Sequence, residues 1–168
     1  MRQRRTPIAR RTPIQRSLTA KGSRTSKRRK KPAKQRKTTL GAAKRTLWDY
    51  FARYIKGRDG NQCFTCDAHA EGAYLHAGHL FSRSIGATLY DPLNCHSQCA
   101  GCNRGRRGNI PEYVSRFMSR YGGGQFTRLT NKARQIKQWT MPEVRELTEA
   151  LKRGGADFEA FYMERYGL

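Results

Sequence analysis

Apolar residues recur every three or four positions in three stretches of this chain, with polar residues between them. Leu47, Phe51 and Ile55, beside Trp48 and Tyr54, predict a helix that begins near residue 42 and ends at Gly57 or Gly60. Val114, Phe117 and Met118 share one face of a second helix, with Asn109 as its cap and Pro111 and Glu112 in its first turn. Gly122-Gly123-Gly124 marks its end. Thr140-Met141-Pro142-Glu143 has capping-box spacing before Val144, Leu147 and Leu151. A last short helix is expected over Phe158 to Tyr166. Between the first two helices, Ala73–Ala77 reads as a strand leading into Gly78-His79. Residues 82–93, with Gly86, Asp91 and Pro92, read as irregular loop.

Residues 1–40 carry no such pattern. They are low in complexity, and Arg5-Thr6-Pro7-Ile8-Ala9-Arg10 is echoed by Arg11-Thr12-Pro13-Ile14-Gln15-Arg16. Charge sharpens the contrast. The 168 residues carry a formal +23, and residues 1–46 hold 18 of the 35 Lys and Arg with no acid. A block of like charge repels itself, stays extended and binds polyanions by releasing their counterions. The chain therefore reads as a disordered basic tail, residues 1–41, before one modest domain. Arg28, Arg29, Lys30 and Lys31 form the densest phosphate-binding run; the same run also has the composition of a nuclear localisation signal.

No apolar run has the length of a membrane span, and no apolar core follows the basic start as a secretion signal requires. Pro7, Pro13 and Pro32 oppose the amphipathic helix of an organelle transit peptide. A reducing cytoplasm is the expectation, with no membrane partner.

In that compartment, cysteines in tight pairs point to metal rather than disulfides. Cys63 and Cys66 form one Cys-x-x-Cys pair, Cys99 and Cys102 the other, with 32 residues between. Four thiolates complete a tetrahedral zinc sphere and make the metal structural. A pair of redox dithiols is the alternative, but no βαβ pattern accompanies them. Cys95, the fifth cysteine, is expected to be a small buried residue.

His79 lies inside the loop that zinc would close. A neutral imidazole takes a proton from water near neutral pH, giving the nucleophile that attacks a phosphodiester. Such a base needs a group to hold its ring, which Asn94 can supply, and a divalent cation to stabilise phosphate charge. Asn103 offers such a cation, Mg²⁺ or Mn²⁺, a hard oxygen. An Asn before a knuckle also caps turns without further purpose. Arg83, Arg104, Arg106 and Arg107 flank these residues and fit phosphate contacts, or singly a solvated surface.

The string Cys63-x-x-Cys66, Ala77-Gly78-His79, Asn94-x-His96-x-Gln98-Cys99-x-x-Cys102-Asn103, Gly108-Asn109 resembles the zinc-ribbon HNH (ββα-metal) nucleases. It is closer still to the lambdoid phage NinG/Rap recombination family. The resemblance covers about residues 44–121 and, more loosely, the helices to 153. It implies an α+β fold: a small ββα-metal core on a structural zinc ribbon at residues 42–121, with a helical extension at 122–168. It implies a metal-dependent endonuclease acting on branched DNA such as Holliday junctions and D-loops, in a host bacterial cytoplasm with phage recombination partners. His79 matches the general base, Asn94 its orienting residue and Asn103 a catalytic metal ligand.

The chain departs from the wider HNH pattern at one position. Many members carry Asp or His directly before the base as a metal ligand; here that residue is Gly78. Alternation on a strand puts His76 on the face that residue 78 occupies, so His76 either replaces the ligand or is an ordinary polar strand residue. His96 fits support of the zinc or of His79, and His69 reads as surface. Two alternatives stand beside the junction nuclease: a non-catalytic zinc-ribbon binder of nucleic acid, and an HNH nuclease or nickase acting on linear duplex. Symmetric cutting of a four-way junction would call for a homodimer.

Overall fold

The computed structural model describes residues 38–167. The expected basic tail, including Arg28, Arg29, Lys30 and Lys31, lies almost wholly outside the described residues.

Helix α1 spans Leu40–Arg58, capped by the Thr39 hydroxyl, which accepts from the Ala42 amide at 3.3 Å. Leu47, Phe51 and Ile55 are fully buried along one side of it, the stripe their spacing predicted. Strands β1, Leu75–His79, and β2, Cys95–Cys99, form an antiparallel hairpin in the register Leu75↔Cys99, Gly78↔His96 and His79↔Cys95. The first strand starts two residues later than expected, because Gly72–Tyr74 forms a helical turn first. One turn of π-helix, Gly101–Gly105, follows β2. Helix α2 is Ile110–Ala133, α3 Met141–Arg153 and α4 Gly155–Tyr166. The result is a mixed α and β fold with one two-stranded antiparallel sheet among the described residues. None of the described helices is long and apolar enough to cross a membrane.

The hairpin lies between two apolar clusters. Alternation puts Leu75, Ala77, His79, Cys95 and Ser97 on the face toward α1, and Gly78, His96 and Gln98 on the face toward α2. On the first face, Cys95 joins Leu47, Phe51, Ile55, Val144, Leu147, Phe158 and Tyr162 in a single core. Helices α3 and α4, expected as an extension, therefore share their core with α1. On the second face, Tyr113, Phe117 and Leu129 of α2 pack with Leu80.

Two features of α2 differ from expectation. Asn109 does not cap it with its side chain: its backbone is left-handed (φ 47°), and its amide lies 3.9 Å from Cys102 Sγ. The glycine triplet ends the first segment as expected, but the pattern does not show the second segment within the same span. Gly122 leaves helical geometry (φ 81°, ψ 164°), a conformation a residue without a β-carbon adopts freely, and helix resumes beyond it. The second segment persists because Phe126 and Leu129 return to the cluster that holds Phe117. The Thr140–Glu143 capping box forms as its spacing implied.

Candidate nuclease and metal centres

The four knuckle cysteines converge. Their sulfurs all lie within 4.8 Å of one another, and Cys66 Sγ is 3.8 Å from Cys99 Sγ. A tetrahedron with Zn–S bonds near 2.3 Å has edges of about 3.8 Å. The backbone N–H of Cys102 donates to Cys99 Sγ at 3.4 Å. Burial raises the Cys63 thiol, but hydrogen bonds from Thr65 and from backbone outweigh it and bring it down to about 6. Four clustered cysteines so arranged can bind a zinc ion. Cys95 takes no part: it is fully buried in the α1 core, and burial pushes its thiol far up.

His79 sits at the end of β1, half-buried, with its ring stacked on Trp48 at 5.3 Å between centroids and 20° between planes. Its Nε2 lies 3.1 Å from the carbonyl oxygen of Leu89. A carbonyl only accepts, so Nε2 carries the proton and Nδ1 presents a lone pair. Burial holds the ring below its ordinary pKa, the Leu89 carbonyl pulls the other way, and Arg83 adds repulsion. The outcome is a neutral imidazole near pH 7.

No hydrogen bond joins Asn94 to His79. Asn94 is fully buried, accepts from the Phe81 amide at 2.7 Å, and donates to the carbonyls of Phe81 (3.0 Å) and Thr88 (2.9 Å). It closes the loop that follows His79 and carries Leu89, so its hold on the imidazole runs through backbone. An Asn satisfies such a buried loop because one side chain supplies both acceptor and donors.

Asn103, in the π-turn, meets His76 of β1: Nδ2 of Asn103 lies 2.8 Å from His76 Nδ1. His76 Nε2 lies 3.1 Å from the Ala73 carbonyl, so Nε2 donates there and Nδ1 accepts from Asn103. Both ring nitrogens of His76 are thus engaged, one with Asn103 and one with the Ala73 carbonyl. His76 thus orients Asn103.

His76 and Asn103 line an open cleft of about 520 Å³ between α1 and the hairpin. His79 meets that cleft through its ring partner Trp48, which is part of the wall, and Asn94 is not in the lining. Arg83 and Arg104 belong to its wall; Arg106 and Arg107 do not, and lie exposed beyond it. Arg83 lies over the Trp48 ring, 4.0 Å from its centroid. Sequence reasoning missed Trp48, Asp49, Arg53 and Lys56 of α1, which complete the wall. Their signal was available: Asp49, Ala52, Arg53 and Lys56 recur at helical spacing on one side.

His96 contacts neither the cysteines nor His79. It is fully buried, stacked on Phe64 at 4.1 Å, with Nδ1 2.8 Å from the Tyr113 hydroxyl and Nε2 2.8 Å from that of Tyr121. Tyr113 in turn donates toward the carbonyls of Gly78 (3.4 Å) and Asn94 (3.3 Å). With Tyr113 donating onward, His96 Nδ1 is the donor and Nε2 accepts from Tyr121. Burial keeps His96 well below its ordinary pKa.

The fold and the site together define a mixed α and β protein with a four-cysteine cluster that can bind zinc and a basic cleft lined by hairpin His76. The family model described as Bacteriophage Lambda NinG protein matches residues 2–158, and the chain belongs to that family. No curated protein and no solved structure matches it.

Proposed function

We propose that this chain is an HNH-type endonuclease that cuts branched DNA recombination intermediates by metal-dependent phosphodiester hydrolysis. The observation that carries the reading is the state of His79: its Nε2 proton is committed to the Leu89 carbonyl, which leaves Nδ1 as a base. Nδ1 takes the proton of an attacking water, and the Leu89 carbonyl steadies the charged ring that results. Stacking on Trp48 keeps the ring from turning. Arg83, Arg104, Arg53 and Lys56 hold the DNA backbone along the cleft without reading its bases.

The amide oxygen of Asn103, a hard donor aimed by His76, suits a divalent cation that binds through few protein ligands and keeps most of its waters. Asn103 would hold such an ion, and Mg²⁺ or Mn²⁺ bound there would supply charge stabilisation for the phosphate and the departing oxygen. Membership of the family described as Bacteriophage Lambda NinG protein supports a phage role, and the motif resemblance supplies recombination as its setting. The acid-free start of the chain adds sequence-independent affinity for DNA.

The test is cleavage of a labelled four-way junction with Mg²⁺, run beside a linear duplex of matched sequence. His79→Ala, folded and zinc-loaded, should cut about 10²–10⁴-fold more slowly while binding the junction as before. Tight binding with no cutting by the unmutated protein, in Mg²⁺ or Mn²⁺, would instead identify a non-catalytic zinc-ribbon binder. Equal cutting of the duplex would identify an HNH nuclease without branch preference.

A further inference from the structure

A second depression, of about 540 Å³, lies beside the kink in α2 and shares no lining residue with the nuclease cleft. Arg120 and Arg128 reach it from the two segments of α2; neither has an acidic partner among the described residues. Tyr121 and Leu93 supply apolar wall, with Met163 of α4 opposite, itself an exposed large hydrophobic residue. Gln125 lines the same space, and its side-chain oxygen is buried with no hydrogen-bond partner among the described residues.

This combination has a definite chemistry. Two guanidinium groups without an ion-pair partner attract an anion such as a phosphate, the one carboxylate of the lining, Glu159, being paired with Arg58 at 3.9 Å. A flat apolar wall with a tyrosine ring receives a nucleobase, and every base offers an N–H donor on its pairing edge to an unpartnered amide oxygen. The volume falls in the range of small-ligand sites, enough for one nucleotide but not for a duplex. The depression is also preformed. Tyr121 is fixed by the hydrogen bond of its hydroxyl to His96, and Arg120 lies over the Tyr121 ring, 5.5 Å from its centroid. Arg58 and Glu159, which also border it, are already committed: the Arg58 guanidinium donates to the Pro92 and Cys95 carbonyls, and Glu159 accepts from Tyr54.

We propose that this depression receives one unpaired nucleotide of a branched DNA, with its base against Tyr121 and Leu93 and its phosphate on Arg120 and Arg128. The proposal rests on the nuclease reading for its choice of DNA. It adds a means of preferring a branch: a duplex has no base free to enter. The pyrimidine or purine identity is not selected, since a single acceptor serves each base.

The experiment is fluorescence anisotropy of the full, zinc-loaded chain with labelled oligothymidine and with linear duplex of equal length, without Mg²⁺ so that nothing is cut. Arg120→Ala/Arg128→Ala and, separately, Gln125→Leu should weaken oligothymidine binding by about tenfold and a few-fold respectively, with duplex affinity unchanged. Arg120 is exposed, so Arg120→Ala alone serves if the double variant folds poorly. Equal losses on both DNAs would reveal a general electrostatic surface, and no loss would show an empty depression; either overturns the proposal. Competition by thymidine monophosphate as effective as that by oligothymidine would also overturn it, by identifying a free-nucleotide site. Because no cleavage is involved, failure of the nuclease reading would leave single-strand binding intact and so be told apart.

Discussion

The side chain of Gln98 crosses the α-carbon of Gly78 so closely that a β-carbon on residue 78 would lie 2.0 Å from Gln98 Oε1. Gln98 is held there by donating to the Gly108 carbonyl at 2.7 Å and to Thr65 Oγ1 at 3.2 Å. It thereby ties the hairpin to the first knuckle and to the start of α2. The space a side chain directly before His79 would take is, in this chain, filled by a neighbour.

Gly78→Ala should therefore destabilise the fold by about 1–3 kcal/mol, because an added methyl meets a fixed, buried amide. Urea unfolding measures it. Removing the obstacle in Gly78→Ala/Gln98→Ala should recover part of the loss, whereas strict additivity would disprove the contact.

Stability should decline as the medium turns acidic. Burial keeps His79 and His96 below their ordinary pKa in the folded state. Above about pH 6.5 both folded and unfolded chains hold neutral imidazoles. Below it the unfolded chain takes up protons that the folded one resists, so folding weakens until the folded-state values are reached. Thermal unfolding between about pH 7.5 and 5 should show this fall, and His79→Gln should make it shallower. A flat profile would contradict the burial of these rings. On the proposed function, the acid limb of cleavage should likewise lie below the ordinary histidine value.

One zinc per chain is expected, held by Cys63, Cys66, Cys99 and Cys102. Structural zinc contributes on the order of 10 kcal/mol, comparable to the whole stability of a domain. Chelation or Cys99→Ser should accordingly unfold the knuckles and lose the metal. Cys95→Ala should keep full zinc content and cost about 1–2 kcal/mol through lost core packing. Metal analysis of the purified variants distinguishes the two cysteines directly.

Lys132 and Asp91 form a buried ion pair at 2.8 Å, and Lys132 also donates to the Tyr166 carbonyl at 2.6 Å and to the Tyr162 hydroxyl at 3.2 Å. It fastens α2 and α4 to the loop before β2. Lys132→Met should cost about 3–5 kcal/mol, since it strands the Asp91 carboxylate away from water. Recovery in Lys132→Met/Asp91→Asn would locate the cost in that stranded charge, and a loss below about 1 kcal/mol would refute the pairing.

Periodicity located α1 and α3 because each buries a regular stripe: Leu47, Phe51 and Ile55, or Val144 and Leu147, need only their own spacing to identify a face, whereas the pattern placed β1 two residues early and did not show β2. The knuckles were legible for a related reason. Zinc demands four soft ligands, and two Cys-x-x-Cys turns present them whatever surrounds them. The continuation of α2 past Gly122 was not legible, since three glycines oppose helix locally and only the packing of Phe126 and Leu129 against a distant cluster restores it. Nor was the role of α1 as a cleft wall, because Trp48, Asp49, Arg53 and Lys56 acquire neighbours only when β1 docks beside them.

The same division runs through the site. Residue types and order determined that this chain carries four paired cysteines able to hold a metal, a histidine between the pairs, and a large positive charge ahead of the domain. Tertiary structure decided which atoms are available. It committed His79 Nε2 to Leu89 and freed Nδ1, brought His76 against Asn103, set Asn94 into backbone rather than against the imidazole, and put Gln98 where a side chain at residue 78 would lie. Hydrogen-bond partners and burial depend on what the rest of the chain brings to each atom, and spacing along one strand or turn carries no record of that.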